Sequence, residues 1–166
     1  MSFRRAFKLA VMIALASACA ASPSWSSCCG PTDTLCSLWA NVSFSPRNPQ
    51  AGDTLVVNAS GIMGNGRVLA QPPEATGAVD AYHGGSDVFE APIATCGETS
   101  FSVFGIANVV IDALACPTVT GGPVSLGIVF PIPALARGLG AINVTVNASD
   151  NSGARIAFCL DVVVTV

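Results

Sequence analysis

The chain is poor in charged residues, and beyond its first residues it contains no lysine. Lys, Arg, Asp and Glu make up 10% of its 166 residues, the only lysine is Lys8, and the only histidine is His83. Nucleic-acid binding needs a basic surface, so this class of partner is disfavoured. Catalysis is not indicated either, because no Gly-x-Ser-x-Gly elbow occurs and the acidic residues are scattered. We therefore expect a protein that is not an enzyme and holds no metal or other cofactor.

The N-terminal segment has the features of a secretory signal. Arg4, Arg5 and Lys8 precede a short apolar stretch, and Ala18-Cys19-Ala20 has the A-x-A form of a cleavage site. We predict a signal peptide at residues 1–20, a flexible lead-in at 21–27 and one domain at 28–166. Without residues 1–20 the chain keeps four arginines against ten acidic residues, a net charge of −6, which disfavours tight adsorption to anionic lipid.

Six cysteines follow the signal: Cys28, Cys29, Cys36, Cys96, Cys116 and Cys159. An even number in a secreted chain indicates disulfides, and the irregular spacing disfavours zinc. Four glycosylation sequons begin at Asn41, Asn58, Asn143 and Asn147. Together these features indicate a secreted or lumenal protein, outside the cell or in a lysosome or vacuole.

Short segments rich in β-branched and aromatic residues alternate with Gly-, Pro- and Asn-containing turns, while no helical periodicity is sustained. The predicted strands cover residues 38–45, 54–60, 67–70, 78–82, 87–91, 99–103, 107–113, 124–130, 141–148 and 154–164. Sequon-bearing Asn143 and Asn147 must face water, so Ile142, Val144 and Val146 face inward. We predict one all-β sandwich of two antiparallel sheets.

The order of several short motifs is more specific. The landmarks are Cys29-Gly30, Val42-Ser43-Phe44-Ser45-Pro46, Ala51-Gly52-Asp53-Thr54, Cys96-Gly97, Cys116-Pro117 with Gly121-Gly122, Phe130-Pro131-Ile132-Pro133, and Phe158-Cys159-Leu160-Asp161-Val162. This series resembles the ML lipid-recognition family, which includes lysosomal sterol carriers, mite group 2 allergens and fungal phosphatidylglycerol/phosphatidylinositol transfer proteins. The resemblance covers nearly all of residues 28–166. The chain departs from the family pattern in two places. Residues 64–85 match no strong motif, and the stretch between Cys96 and Cys116 is longer than the corresponding loop of the sterol carriers.

The resemblance implies an immunoglobulin-like sandwich, stapled by disulfides, with an apolar cavity between its sheets. It also implies the pairs Cys29–Cys159 and Cys96–Cys116, which leaves Cys28–Cys36. Because Cys28 and Cys29 are adjacent, either of them could reach Cys159.

The candidate residues for a lipid cavity are the large apolar ones of the second half of the chain. They are Phe101, Phe104, Leu126, Ile128, Phe130, Ile142, Val144, Val146, Ile156, Phe158 and Leu160. The alternative for each is an ordinary place in a filled core. Pro131, Ile132 and Pro133 are predicted at the cavity entrance, or else form a turn that ends an edge strand. His83, before Gly84-Gly85, is expected in an exposed turn, or at the entrance as a group that titrates in an acidic compartment.

The predicted function is that of a monomeric lipid-binding and transfer protein, which holds a sterol or phospholipid and makes transient contact with a membrane or membrane protein. The alternative is a glycosylated adhesion or signalling sandwich whose core is filled. A continuous apolar cavity of a few hundred Å³ would favour the first, and a core at ordinary packing density would favour the second.

Overall fold

The computed structural model describes residues 22–66, 68, 77–150 and 155–166. The predicted signal peptide and most of the predicted strand at 67–70 lie outside these residues. Ten strands are numbered in chain order: β1 (Ser24–Ser26), β2 (Leu38–Ser45), β3 (Thr54–Ile62), β4 (Gly77–His83), β5 (Ser86–Ile93), β6 (Glu98–Val103), β7 (Ala107–Asp112), β8 (Pro123–Pro131), β9 (Ala141–Ser149) and β10 (Ile156–Thr165).

The strands form two five-stranded antiparallel sheets. The first sheet has the order β1-β10-β9-β4-β5, and the second has the order β2-β3-β8-β7-β6. A short 3₁₀ turn at Ala134–Ala136 lies between β8 and β9. In the described part of the chain, no helix is long and apolar enough to cross a bilayer. The predicted all-β sandwich is confirmed.

Strand alternation places the apolar side chains between the sheets. In β3, Leu55, Val57 and Ala59 are each 2% exposed, whereas the intervening Asn58 is exposed. In β9, Val146 and Ala148 are buried while Asn143 points outward. A period of two is what a half-buried strand requires, and the predicted inward face of β9 is correct.

The prediction of a flexible lead-in at 21–27 is wrong for Ser24–Ser26, because these residues form a strand at the edge of the first sheet. Ser24 pairs with Val163, Trp25 with Val162 and Ser26 with Asp161. This strand has no apolar alternation of its own, and the free edge of β10 supplies its hydrogen-bond partners.

The register of β1 explains a second correction, in the disulfides. Continued by two residues, the antiparallel pairing of β1 with β10 brings Cys28 opposite Cys159, and these two form the bond, with Cα atoms 5.1 Å apart. Successive side chains of an extended segment point to opposite sides, so Cys29 pairs with Cys36 instead. The predicted Cys29–Cys159 and Cys28–Cys36 pairs are therefore wrong, whereas Cys96–Cys116 is present as predicted.

One long side of the sandwich is closed. Beside the Cys28–Cys159 bond, the Trp39 indole Nε1–H donates to the carbonyl oxygen of Cys159 at 3.2 Å. The Ser37 hydroxyl donates to the carbonyl oxygen of Ala157 at 3.0 Å. These contacts join the edge of the second sheet to β10 of the first. On the opposite side the edge strands are β5 and β6. Three disulfides are typical of an oxidising compartment.

Candidate functional site

The interior of the sandwich is divided along the strands into a packed half and a hollow half. The packed half, called the base here, contains Phe158 and Trp39, whose rings meet edge to face with centroids 6.4 Å apart. Leu35, Met63 and Leu114 are each at most 1% exposed there. The other half, towards the β4–β5 and β6–β7 turns, encloses a cavity of about 420 Å³.

The cavity is apolar on nearly every side. Of the 24 residues that line it, all except His83 have hydrocarbon side chains. Both sheets contribute, with Val79 and Val144 on one side and Val57 and Ile128 on the other. The volume lies in the range of small-molecule sites, about 300–1,000 Å³, and an apolar void of this kind is poorly filled by water.

Seven of the eleven predicted lining residues do line the cavity. They are Phe101, Phe104, Ile128, Phe130, Ile142, Val144 and Val146. The other four predictions are wrong as cavity positions, because Leu126, Ile156, Phe158 and Leu160 do not line it. Phe158, Leu160 and Leu126 do point between the sheets, at 0%, 0% and 1% exposure, but they lie nearer the base. Alternation along a strand determines which face of the sheet a side chain lies on. It does not determine whether the side chain lies in the cavity half or in the packed base.

Of the three residues predicted at the cavity entrance, one lines the cavity. Pro133 lines the cavity, whereas Pro131 ends β8 and Ile132 is buried. Two backbone hydrogen bonds hold this segment beside residues 52–53: Gly52 N–H to Ile132 O at 3.0 Å, and Ile132 N–H to Asp53 O at 2.8 Å. These bonds prolong the β3–β8 ladder by one step, so Ile132 is held inside the fold.

The cavity mouth is formed by three turns and is lined by exposed apolar side chains. Five of the nine large hydrophobic residues that are exposed in the described chain line the cavity. They are Leu135 at 85%, Phe104 at 70%, Ile106 at 59%, Leu139 at 47% and Val88 at 42%. An exposed apolar patch beside a cavity is typical of an interaction site.

The structure adds a lining pair that the sequence analysis missed, in β5. Between Ala81 and Tyr82 the pairing of β4 with β5 slips by one residue, which is a β-bulge. Val88 and Phe89 are adjacent in sequence, and both line the cavity. A bulge turns a side chain that strict alternation would place on the other face, and no residue pattern in 86–93 signals it.

His83 is the single polar side chain in the cavity wall. It is the last residue of β4, half-buried, and its turn neighbours Gly84 and Gly85 are exposed. Its ring Nδ1 lies 3.3 Å from the carbonyl oxygen of Ala141. A carbonyl oxygen can only accept, so in this contact Nδ1 carries the hydrogen and Nε2 of the neutral ring is an acceptor.

The acidic groups near the site lie on the outside of the first sheet. Burial, and then repulsion from Glu90 and Asp87, raise the pKa of Asp80. Asp80 in turn is the main cause that raises the pKa of Tyr82. Asp80 alternates with the cavity residues Val79 and Ala81 along β4, so its charge is directed away from the cavity. Among the described residues, no group of three or more His, Cys, Asp or Glu could hold a metal ion.

All four sequon asparagines lie in strands and outside the cavity wall. Asn41, Asn58 and Asn143 are exposed and Asn147 is half-buried, and none of the four lines the cavity. Glycans at these positions would leave the mouth free.

No family model matches this chain, and no curated protein is significantly similar to it. The ML-family resemblance therefore stays a prediction from the order of the motifs, and the geometry of the cavity carries the functional argument.

Proposed function

We propose that this protein binds one lipid in the cavity between its sheets and delivers it to membranes, as the motifs that resemble the ML family predict. The observation that carries the proposal is the apolar cavity of about 420 Å³. The alternative, an adhesion or signalling sandwich, uses a filled core, and the cavity argues against it. We propose no catalytic step.

The affinity would come from apolar contact. Burying about ten methylene groups contributes about 8 kcal/mol at roughly 0.8 kcal/mol each, before the cost of ordering the ligand. Between Val146 and Ile142, both in the cavity wall, the strand advances about 14 Å at about 3.4 Å per residue. This depth suits the rings of a sterol or part of an acyl chain, with the polar end of the lipid at the mouth.

His83 places a hydrogen-bonding group at the mouth of the cavity. With Nδ1 bonded to Ala141, a neutral His83 offers Nε2 as an acceptor at the end of an otherwise apolar wall. A hydroxyl group donates to such a nitrogen, whereas the ionised phosphodiester of a phospholipid has no hydrogen to donate. We therefore favour a lipid with a hydroxyl near the mouth, such as a sterol, over one whose phosphate would have to enter the wall.

Delivery requires contact with a bilayer, and the mouth is suited to a brief one. Leu135 and Leu139 can enter the acyl boundary, and within residues 133–139 the only charged residue is Arg137. Surface clusters of basic residues hold proteins on anionic membranes, and this chain has too few cations for that. We propose transient contact of a secreted or lumenal monomer, with a membrane or a membrane protein, and glycans on the outer faces of the sheets.

The test is recovery of ligand from protein secreted by a eukaryotic host. We expect an added mass in native mass spectra, an extractable lipid of that mass, and displacement of a fluorescent sterol probe by it. Protein that is folded and oxidised, yet carries no added mass and binds neither a sterol nor an acyl probe, would refute the proposal.

A further inference from the structure

The turn between β6 and β7 has an unusual residue at its tip. It is closed by a hydrogen bond from Ile106 N–H to Val103 O at 3.0 Å, and both central residues have positive φ, +51° for Phe104 and +71° for Gly105. Both φ values match a type I′ turn over residues 103–106, which favours Asn, Asp or Gly at its first central position. Because Val103 pairs with Ala107, Ile106 is a third residue of this loop. Within the described chain, Phe104 is the only residue other than glycine with positive φ. A phenylalanine is costly in this region because its Cβ approaches the backbone.

The neighbouring hairpin has a shorter loop of two residues, and glycine occupies both of its positive-φ positions. Between β4 and β5, His83 pairs with Ser86 around Gly84 and Gly85, with φ of +58° and +80°. Both turns lie at the mouth. Glycine at position 104 would remove the unfavourable contact, so the phenylalanine calls for a reason outside the turn itself.

Packing in the core does not supply that reason, since Phe104 is 70% exposed. Its ring meets the ring of Phe89 edge to face, with centroids 5.8 Å apart. Phe89 stacks on Phe101 at 5.6 Å. All three rings line the cavity, and Phe89 and Phe101 belong to β5 and β6, the edge strands of the open side. The three rings bridge the gap between the sheets where no backbone hydrogen bond joins β5 to β6.

We infer that Phe104 is the closing residue of the cavity mouth: its strained turn holds an aromatic ring across the gap between β5 and β6, over the bound lipid. This inference rests on the proposed lipid-binding function and specifies how the ligand is retained. It makes Phe104 a residue kept for ligand retention at the expense of turn stability, so the two properties should change in opposite directions when it is replaced.

The experiment is Phe104→Asn, which creates an Asn-Gly pair suited to a type I′ turn. In the lipid-free protein we expect Tm to rise by about 2–4 °C. In the loaded protein we expect a fluorescent sterol to be released roughly three- to tenfold faster, since an aromatic contact worth about one decade or less is lost.

Two further substitutions separate strain from closure. Phe104→Leu keeps a Cβ at positive φ but removes the ring, so release should be faster without a gain in Tm. Phe104→Tyr keeps both the Cβ at positive φ and the aromatic ring, so the probe should be released at the wild-type rate. Leu38→Asn is the matched surface control, because Leu38 is 61% exposed and does not line the cavity.

The outcomes are distinct. If Phe104→Asn and Phe104→Leu release the probe at the wild-type rate, the closing role is refuted while lipid binding stands. If the wild type binds no probe, the proposed function itself fails, and the closing role fails with it. Equal acceleration by Leu38→Asn would also refute it, because the effect would then not be specific to the mouth.

Discussion

A substitution that fills the cavity tests whether the void holds the lipid. Ala81 is a half-buried residue of β4 in the cavity wall, paired with Val144 on one side and Phe89 on the other. Ala81→Phe adds six ring carbons, which would displace ligand groups worth at most about 5 kcal/mol at about 0.8 kcal/mol each. Because a lipid can shift towards the mouth, we expect about half of this loss, or roughly 30- to 150-fold in Kd.

The stability of the same variant should not fall, since the new ring enters space that is already empty. Ala148→Phe is the packing control: Ala148 also faces inward in the first sheet, but it is 1% exposed and does not line the cavity. Overpacking there should cost about 1–3 kcal/mol. Val56→Phe, on the outward side of β3, controls for the added ring itself.

The assay pairs probe titration with urea unfolding, in which an unchanged m-value confirms an unchanged denatured state. Ala81→Phe protein that unfolds at the wild-type midpoint and binds the probe with wild-type affinity would refute the reasoning. The cavity would then not be the place where the ligand lies.

Three further predictions concern the rest of the fold. Phe158→Ala, in the packed base, should lower the free energy of unfolding by about 3–5 kcal/mol and leave the probe affinity of the folded fraction unchanged; a selective loss of affinity would return Phe158 to the cavity wall. Cys28→Ser opens a loop of 131 residues and Cys29→Ser one of 7, so on the chain-entropy model they should cost about 5 and about 2.5 kcal/mol; the reverse order would support the other pairing. The pKa of Asp80 is raised in the folded protein. The folded state therefore binds this proton more tightly than the unfolded chain does. The ionised carboxylate destabilises the fold at pH values above the folded pKa, and the effect is absent at pH values below the ordinary pKa of Asp. Asp80→Asn should therefore raise Tm by about 1–3 °C at pH 7, an effect limited by solvent screening, and should give no gain below pH 3.8, the ordinary value for Asp; thermal scans with equal gains at both pH values would contradict this.

The strands of this fold were predictable because their signals are local. The segment Leu38–Ser45 was predicted with its observed bounds, and alternation in β9 gave the correct inward face. The short strand Ser24–Ser26 was not predictable in this way, since it depends on an edge of β10 that lies more than 130 residues away along the chain. The disulfide partner of Cys159 depended on the same pairing, so both errors have one cause.

The cavity was predictable only in part for a related reason. Phe130 and Phe158 both lie on inward-facing rows, and the residue pattern gives them the same environment. They differ in their position along the strands, because Phe130 lines the cavity whereas Phe158 lies in the base, which is filled by Trp39 and by Leu35 from the segment before β2. Which end of a sandwich is plugged depends on where such segments dock. The aromatic cluster at the mouth depended in addition on a bulge at Val88 and on a strained turn at Phe104, and neither has a signal in the residue pattern.

The free-energy cost of an empty cavity is comparable with the stabilisation that the three disulfides supply. An empty apolar cavity costs about 24 cal/mol per Å³ in other proteins, so 420 Å³ would cost at most on the order of 10 kcal/mol. This is comparable with the whole net stability of an ordinary domain, about 5–15 kcal/mol. On the chain-entropy model the three disulfides, with separations of 131, 7 and 20 residues, contribute about 11 kcal/mol together. If the protein transfers lipid as proposed, the disulfides would keep it folded between the release of one lipid and the uptake of the next, when no ligand fills its interior.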